Sequence, residues 1–319
     1  MKTITNILFD TVSGRLRSGW RVMVYLGLLI SPIFLRSLLG TGTSQPSEPF
    51  DVGPGMVFNY LLMVIWTLLV SWGCLIILDR ERLDSLGLWL GPGWWRDAWR
   101  GLIGGTLMVS GVTLIQIIAG GSRPGLNPYW STGGAIDAAA LRHTLLETGW
   151  TILMLLLAAL FEELLYRGYA FQTLLRGVHP VVPLAILSSL FGLSHWGNPN
   201  STFFSTLNTI LAGIWLSLAY LKARNLWLPT GLHLGWNIAL GPLFGLPVSG
   251  RLIPTHPVLI TTSTTPDWLT GGAYGSEGGA AATIALLLAI AFILKKRPLT
   301  KPVSPTTVES GQGESLRSP

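Results

Sequence analysis

Eight apolar runs, each close to the length that crosses a lipid bilayer, constrain the fold of this chain more than any other feature. An α-helix needs about 20 mostly apolar residues to span the hydrocarbon core. Charged residues make up only 11% of the sequence, whereas soluble domains carry about 25%. We therefore predict an all-α, polytopic membrane protein with about eight transmembrane helices. The predicted spans are residues 21–39, 57–78, 101–119, 144–164, 181–196, 203–222, 226–244 and 278–294. The helix of the fourth span is expected to continue past Arg167 to Leu175.

The basic residues are distributed unevenly between the predicted loops. With both termini placed in the cytoplasm, 17 of the 21 Lys and Arg residues lie on the cytoplasmic side, which is the usual bias in membrane proteins. Omitting the short fifth run would invert the later loops and move the basic cluster 295–297 outside. The distribution therefore favours eight spans with both termini cytoplasmic, and it accounts for the net charge of +6 without a nucleic-acid partner.

The remaining segments differ in composition from the spans. The first run has no small-x-small cleavage site at its end, so we expect it to be retained as a span. We assign residues 1–297 to one membrane domain and expect the Ser-, Thr- and Pro-rich tail, 298–319, to be disordered. A short amphipathic helix on the inner leaflet is expected within 79–100. The outer segments are rich in turn residues and are predicted to be loops: 40–56, 120–143 and 245–277.

Three charged residues interrupt the apolar sequence where the fourth span ends: Glu162, Glu163 and Arg167. A charge at bilayer depth costs roughly 2.5–3.5 kcal/mol on insertion scales, which favours a buried polar site. Residues four apart share a helix face, so Glu163 and Arg167 can pair, whereas Glu162 lies about 100° away and can point elsewhere. We therefore predict a structural role for Glu163 and leave Glu162 available for chemistry. The alternative is an interfacial helix end from which these side chains reach water.

Two further pairs of residues at helical spacing place polar groups on other predicted spans. Phe191 and His195 are four apart on the fifth span, so the ring can pack against the imidazole. His233 and Asn237 are four apart on the seventh span. A single histidine on an apolar face is usually a core residue. Two on separate spans, together with Glu162, favour convergence in one site.

The converging groups suit more than one chemistry. A carboxylate and a histidine can jointly activate water, and a second histidine with an asparagine amide can stabilise an oxyanion, which suits amide hydrolysis. The same groups suit zinc, with Glu162, His195 and His233 as ligands, or a proton relay in a carrier. No His-Glu-x-x-His pair or Gly-x-Ser-x-Gly elbow is present. We assign the other candidate residues to the core or to ordinary loops: Cys74, His143, His179 and His256.

The order and spacing of these groups resemble the three motifs of the CAAX-protease and bacteriocin-processing family of intramembrane proteases. Its Glu-Glu-x-x-x-Arg motif matches residues 162–167, Phe-x-x-x-His matches 191–195, and His-x-x-x-Asn matches 233–237. Each motif alone is weak, but all three in this order on predicted spans form a specific signal. The resemblance covers about residues 145–240, which we expect to form the catalytic core.

The resemblance implies a glutamate-type intramembrane endopeptidase, similar to a CAAX prenyl protease, for which we expect metal-independent hydrolysis, with metal dependence as the alternative. Glu162 and His195 would then activate water, and His233 and Asn237 would stabilise the oxyanion. Glu163, Arg167 and Phe191 would support the site. We expect no cofactor, with zinc as the alternative, and a membrane-associated or lipidated protein or peptide as substrate in the plasma membrane. A non-catalytic scaffold or partner-binding protein of the same fold, and a proton-coupled carrier, are the competing hypotheses.

Overall fold

The computed structural model describes residues 6–10, 13–38, 52–131, 138–264 and 266–296. The tail that we expect to be disordered, 298–319, lies outside the described residues, as does most of the outer loop 40–56. The assignment of one membrane domain to residues 1–297 therefore stays a prediction over its full range.

Long helices dominate the described part of the chain, and each predicted span falls on one of them. Within the described residues, four stretches are long and apolar enough to cross a membrane: Pro54–Asp79, Trp94–Ile118, Ala138–Gly177 and Phe203–Ala223. The protein is an all-α polytopic membrane protein, and the crossing by the other four spans stays a prediction. The described helices of nine or more residues are α1 (Ser18–Leu38), α2 (Pro54–Cys74), α3 (Trp94–Ile118), α4 (Ala138–Arg167), α5 (Tyr169–Gly177), α6 (Val181–Ser194), α7 (Phe203–Ala223), α8 (Trp227–Ile238) and α9 (Ala280–Lys296).

The fourth span was predicted to continue as one helix to about residue 175, and this is wrong in one respect. The chain breaks at Gly168, which separates α4 from the buried helix α5. A Cβ atom at Gly168 would lie 2.2 Å from the carbonyl oxygen of Leu164. The break therefore depends on glycine, and it leaves the charged motif in the last two turns of α4.

Two of the outer segments contain regular structure that their composition did not predict. Strand β1 (Ser122–Leu126) pairs antiparallel with β2 (Leu259–Ser263), which ties 120–143 to 245–277. β1 includes Pro124, which a two-stranded sheet tolerates because each strand has an open edge. The amphipathic helix expected within 79–100 is also wrong, since that segment forms only a 3-10 turn, Leu83–Leu86, before α3 begins.

Glycines bring α3 and α8 into close contact. A Cβ atom at Gly105 would lie 2.0 Å from a backbone oxygen of α8, and one at Gly235 would lie 2.1 Å from a backbone oxygen of α3. Gly101 and Gly231 make equivalent approaches, and such close contact is typical of a small-xxx-small pair such as Gly101 and Gly105. This contact fixes the position of α8, which carries His233.

The helix α4 packs against α2, α6 and α8. These neighbours come from separate parts of the chain, so their packing brings the three motif segments together. Apolar side chains of α2 and α4 form one core cluster at this junction, including Val57, Met154 and Leu155. The polar residues of the motifs therefore lie among apolar helices and not in an exposed loop.

Candidate active site

The end of α4, the residue after α6 and the middle of α8 meet at one point. Glu162 Oε2 lies 4.0 Å from His195 Nε2 and 3.8 Å from His233 Nε2. The side chain of Glu162 is 24% exposed and those of both histidines are 12% exposed. The structure thus brings together the three residues that the sequence placed on separate spans. Their low exposure limits the access of bulk water to them.

Glu163 and Arg167 form the ion pair expected from their spacing. Arg167 Nη1 lies 3.1 Å from Glu163 Oε1, and both side chains are fully buried. Arg167 also donates to the Gly213 carbonyl (2.8 Å) and to Ser217 Oγ (3.2 Å), both on α7. Its guanidinium carbon lies 4.7 Å from the centre of the Phe191 ring. The arginine therefore joins α4 to α7, and its removal would leave a buried carboxylate without its counter-charge.

Each histidine is oriented by a contact of its Nδ1 atom. His195 Nδ1 lies 2.8 Å from the Phe191 carbonyl oxygen; a carbonyl only accepts, so Nδ1 carries a proton, and in the neutral ring Nε2 then presents a lone pair. His233 Nδ1 lies 3.0 Å from Glu163 Oε1. An ionised Glu163 stabilises both the Nδ1–H form and the imidazolium form of His233. The Phe191 ring centre lies 4.9 Å from that of His195, which is the packing predicted from their spacing.

Glu162 Oε2 is buried and has no hydrogen-bond partner among the described residues. Its separations from the two Nε2 atoms are too long for direct hydrogen bonds. Leaving a buried acceptor unpaired costs about 1–3 kcal/mol, and a bridging water molecule satisfies it. The geometry therefore suits a water held between a carboxylate oxygen and the His195 lone pair.

The zinc alternative fits this geometry less well. The donor types of Glu162, His195 and His233 are those of zinc sites. Within the described ranges, however, no group of three His, Cys, Asp or Glu residues is arranged to hold a metal ion. We therefore derive no catalytic step through a metal.

A cavity of about 510 Å³ opens beside Glu162 and both histidines. Such a volume is typical of sites that enclose a ligand. Its wall combines apolar side chains with the amide of Asn237, which no described residue hydrogen-bonds. Residues of the outer segment 245–277 complete the wall, among them Ser249 and Arg251. The site can therefore receive a substrate segment beside a polar group that is free to donate hydrogen bonds.

The structure adds one polar residue that the sequence interpretation missed. Glu277 lines a second cavity of about 30 Å³, together with His195, His233 and Asn237. Burial raises the pKa of Glu277 above the ordinary glutamate value. Hydrogen bonds from the Ser249 backbone and the Trp236 side chain offset part of this increase. The available signal was its position, since this carboxylate directly precedes the last apolar run.

The residues assigned to the core or to ordinary loops lie outside the site. The loop assignment of His143 is wrong, because α4 begins at Ala138 and includes it. Cys74 is a buried free cysteine. Neither cavity is lined by His143, His179 or His256. His143 and His256 instead lie near Glu147, with Nδ1 to Oε2 distances of 3.4 and 3.7 Å.

Comparison with known proteins identifies the segment that contains these residues. Residues 144–239 match a family model described as "Type II CAAX prenyl endopeptidase Rce1-like". The matched segment contains all three motifs, so the resemblance seen in the sequence is confirmed. No curated protein and no solved structure matches this chain. The family supports CAAX-protease-type peptidase activity on membrane-associated substrates in a lipid bilayer.

Proposed function

We propose that this chain, which carries an Rce1-like domain at residues 144–239, is an intramembrane endopeptidase that cleaves membrane-associated or lipidated proteins or peptides. The observation that carries the proposal is the convergence of Glu162 Oε2 with the Nε2 atoms of His195 and His233 on one cavity. The proposed hydrolysis needs no cofactor, and we place the protein in the plasma membrane.

Water is the nucleophile in the proposed mechanism. A water molecule between Glu162 and His195 gives up a proton to the carboxylate while its oxygen attacks the scissile carbonyl carbon. The lone pair on His195 Nε2 orients this water, because Nδ1–H is held by the Phe191 carbonyl. The attack forms a tetrahedral intermediate without a covalent bond to the enzyme.

The negative charge of that intermediate falls on the former carbonyl oxygen. The Asn237 amide and the Nε2–H of a protonated His233 donate hydrogen bonds to it, and Glu163 stabilises the imidazolium through Nδ1. When the intermediate collapses, the C–N bond breaks and the protonated Glu162 returns its proton to the leaving amine. Glu162 is then ionised again, and a new water molecule can take the place of the one consumed.

The proposal is tested by comparing new protein N-termini in membranes from cells that contain wild type, Glu162→Gln or no copy of the protein, at matched expression. Glu147→Gln serves as a control, because Glu147 is a carboxylate on the same helix that lines neither cavity. We expect termini that appear with wild type and Glu147→Gln and are missing with Glu162→Gln. Identical termini with Glu162→Gln and wild type would overturn the proposal and favour the partner-binding hypothesis.

A further inference from the structure

Glu277 accepts hydrogen bonds through both of its carboxylate oxygens. The indole Nε1–H of Trp236 donates to Oε1 at 2.9 Å, and the backbone N–H of Ser249 donates to Oε2. The backbone of Glu277 is itself fixed, because the Asn208 side chain on α7 donates to its carbonyl oxygen at 2.8 Å. The carboxylate therefore joins α8 to the outer segment 245–277 from a fixed position before α9.

Ser249 is held at both of its backbone polar groups. Its carbonyl oxygen accepts from Asn198 Nδ2 at 3.1 Å, while its N–H donates to Glu277. Its φ of 48° lies in the left-handed region, which costs free energy for a residue other than glycine. The two hydrogen bonds offset that cost and keep the Ser249 peptide at the boundary between the two cavities, both of which it lines.

These contacts form a polar strap, which we define as Asn198, Ser249, Glu277 and Trp236. Both ends of the strap adjoin proposed catalytic groups. At one end the Asn198 backbone N–H donates to the carbonyl of His195 at 3.0 Å. At the other end Trp236 directly precedes Asn237 on α8. The strap thus connects His195, after the end of α6, to Asn237 on α8 through groups that do not belong to the three motifs.

We propose that Glu277 is a positioning residue of the hydrolytic site, holding His195 and Asn237 at their working separation through the polar strap. This inference rests on the proposed function and adds a residue outside the matched segment 144–239. Small displacements matter at such a site, since an error of about 1 Å in catalytic geometry costs on the order of 100-fold in rate. Glu277 touches neither the water nor the substrate in this scheme.

The decisive experiment measures kcat and KM of the purified full-length protein with an internally quenched, prenylated CAAX peptide. In Glu277→Gln one acceptor oxygen becomes an NH₂ donor, so one of the two N–H groups loses its partner. We expect kcat to fall by about 10- to 100-fold with KM within about twofold and an unchanged melting temperature. Glu147→Gln is the matched control and should retain wild-type kcat.

A double-variant cycle separates the strap from an independent effect of the Glu277 charge. Trp236→Phe removes the indole donor and keeps an aromatic ring, so it should lower kcat in the same direction. Because both changes break the same strap, the double variant should lose little more than Glu277→Gln alone. Multiplicative losses, or wild-type kcat in Glu277→Gln where Glu162→Gln is inactive, would overturn the proposal. Cleavage by Glu162→Gln would instead refute the proposed function.

Hydrogen exchange tests the strap even if the peptide is not cleaved. The Ser249 amide should exchange faster in Glu277→Gln than in wild type, while α6 and the Glu147→Gln control stay unchanged. Equal Ser249 protection in wild type and Glu277→Gln would show that the carboxylate does not hold this segment. A fall in melting temperature that accounts for the whole loss of kcat would likewise reduce Glu277 to a structural role.

Discussion

The two sides of the last turns of α4 carry identical side chains in different surroundings. On the packed side, Glu163 is fully buried and paired with Arg167, which is itself anchored to α7. On the cavity side, Glu162 is 24% exposed and one of its buried oxygens has no described partner. Adjacent glutamates thus differ in surroundings because a helix turns about 100° per residue. The packed side holds the geometry, and the cavity side is available for chemistry.

The largest expected effect separates these two sides through activity. Glu162→Gln should lower kcat by about 10²- to 10⁴-fold, the usual contribution of a general base. The melting temperature should stay close to wild type, because Glu162 Oε2 makes no direct hydrogen bond to a described residue. Initial rates and thermal unfolding of the same purified sample provide the measurement. A matching loss of stability would remove the contrast between the two sides.

The packed side should respond mainly through stability. Arg167→Met leaves Glu163 buried without its counter-charge, which should lower the free energy of unfolding by about 3–5 kcal/mol. Thermal unfolding in detergent measures this change. The double variant Glu163→Leu/Arg167→Met should regain much of the stability and remain inactive, since His233 then lacks its Nδ1 partner. A fully active double variant would contradict the role assigned to Glu163.

The oxyanion assignment on the cavity side gives the next effect. Asn237→Ala should lower kcat by about 10²- to 10³-fold, the cost of removing one such donor. Asn237→Asp serves as the control: it keeps the size of the side chain and loses the NH₂ donor, so it should be comparably impaired. The test is to measure kcat by steady-state kinetics and the melting temperature in parallel for both variants. Retention of activity in either variant would exclude Asn237 from oxyanion stabilisation.

Phe191 lies between the two sides and should give the smallest effect. Its ring lies 4.7 Å from the Arg167 guanidinium carbon and 4.9 Å from the His195 ring. Phe191→Leu should destabilise the protein by about 1 kcal/mol and lower kcat by less than about tenfold, as expected for lost aromatic contacts. Thermal unfolding and initial rates should both change slightly. A change in stability alone would assign Phe191 to the packed side, and a change in kcat alone would assign it to the cavity side.

Much of the helical part of the fold was predictable because helical patterns are local. The apolar runs fall on helices, and the four-residue spacings of Glu163 with Arg167 and of Phe191 with His195 give real contacts. The close approach at Gly105 was likewise visible as a small-residue pair. In each case the interacting groups either lie on one helix face or mark a surface without bulky side chains.

The errors occur where distant segments decide the local structure. After the break at Gly168, α5 packs against α1 from the start of the chain, and a glycine within a helical pattern does not by itself predict such a break. β1 and β2 form only because two segments more than 130 residues apart meet, and their Gly- and Pro-rich composition predicted loops. Glu277 was missed for the same reason, since its partners Trp236 and Ser249 lie 41 and 28 residues away.

The sequence by itself determined the membrane setting, the helical class and the three motifs, because hydrophobicity and helical periodicity are local properties of the sequence. It also determined that Glu162 and Glu163 face different directions. Only the tertiary structure decided that Glu162, His195 and His233 meet at one cavity. It also decided that Glu277 accepts a hydrogen bond from Ser249, which lines that cavity. Those contacts join residues from different helices and loops, and their distances depend on how the helices pack.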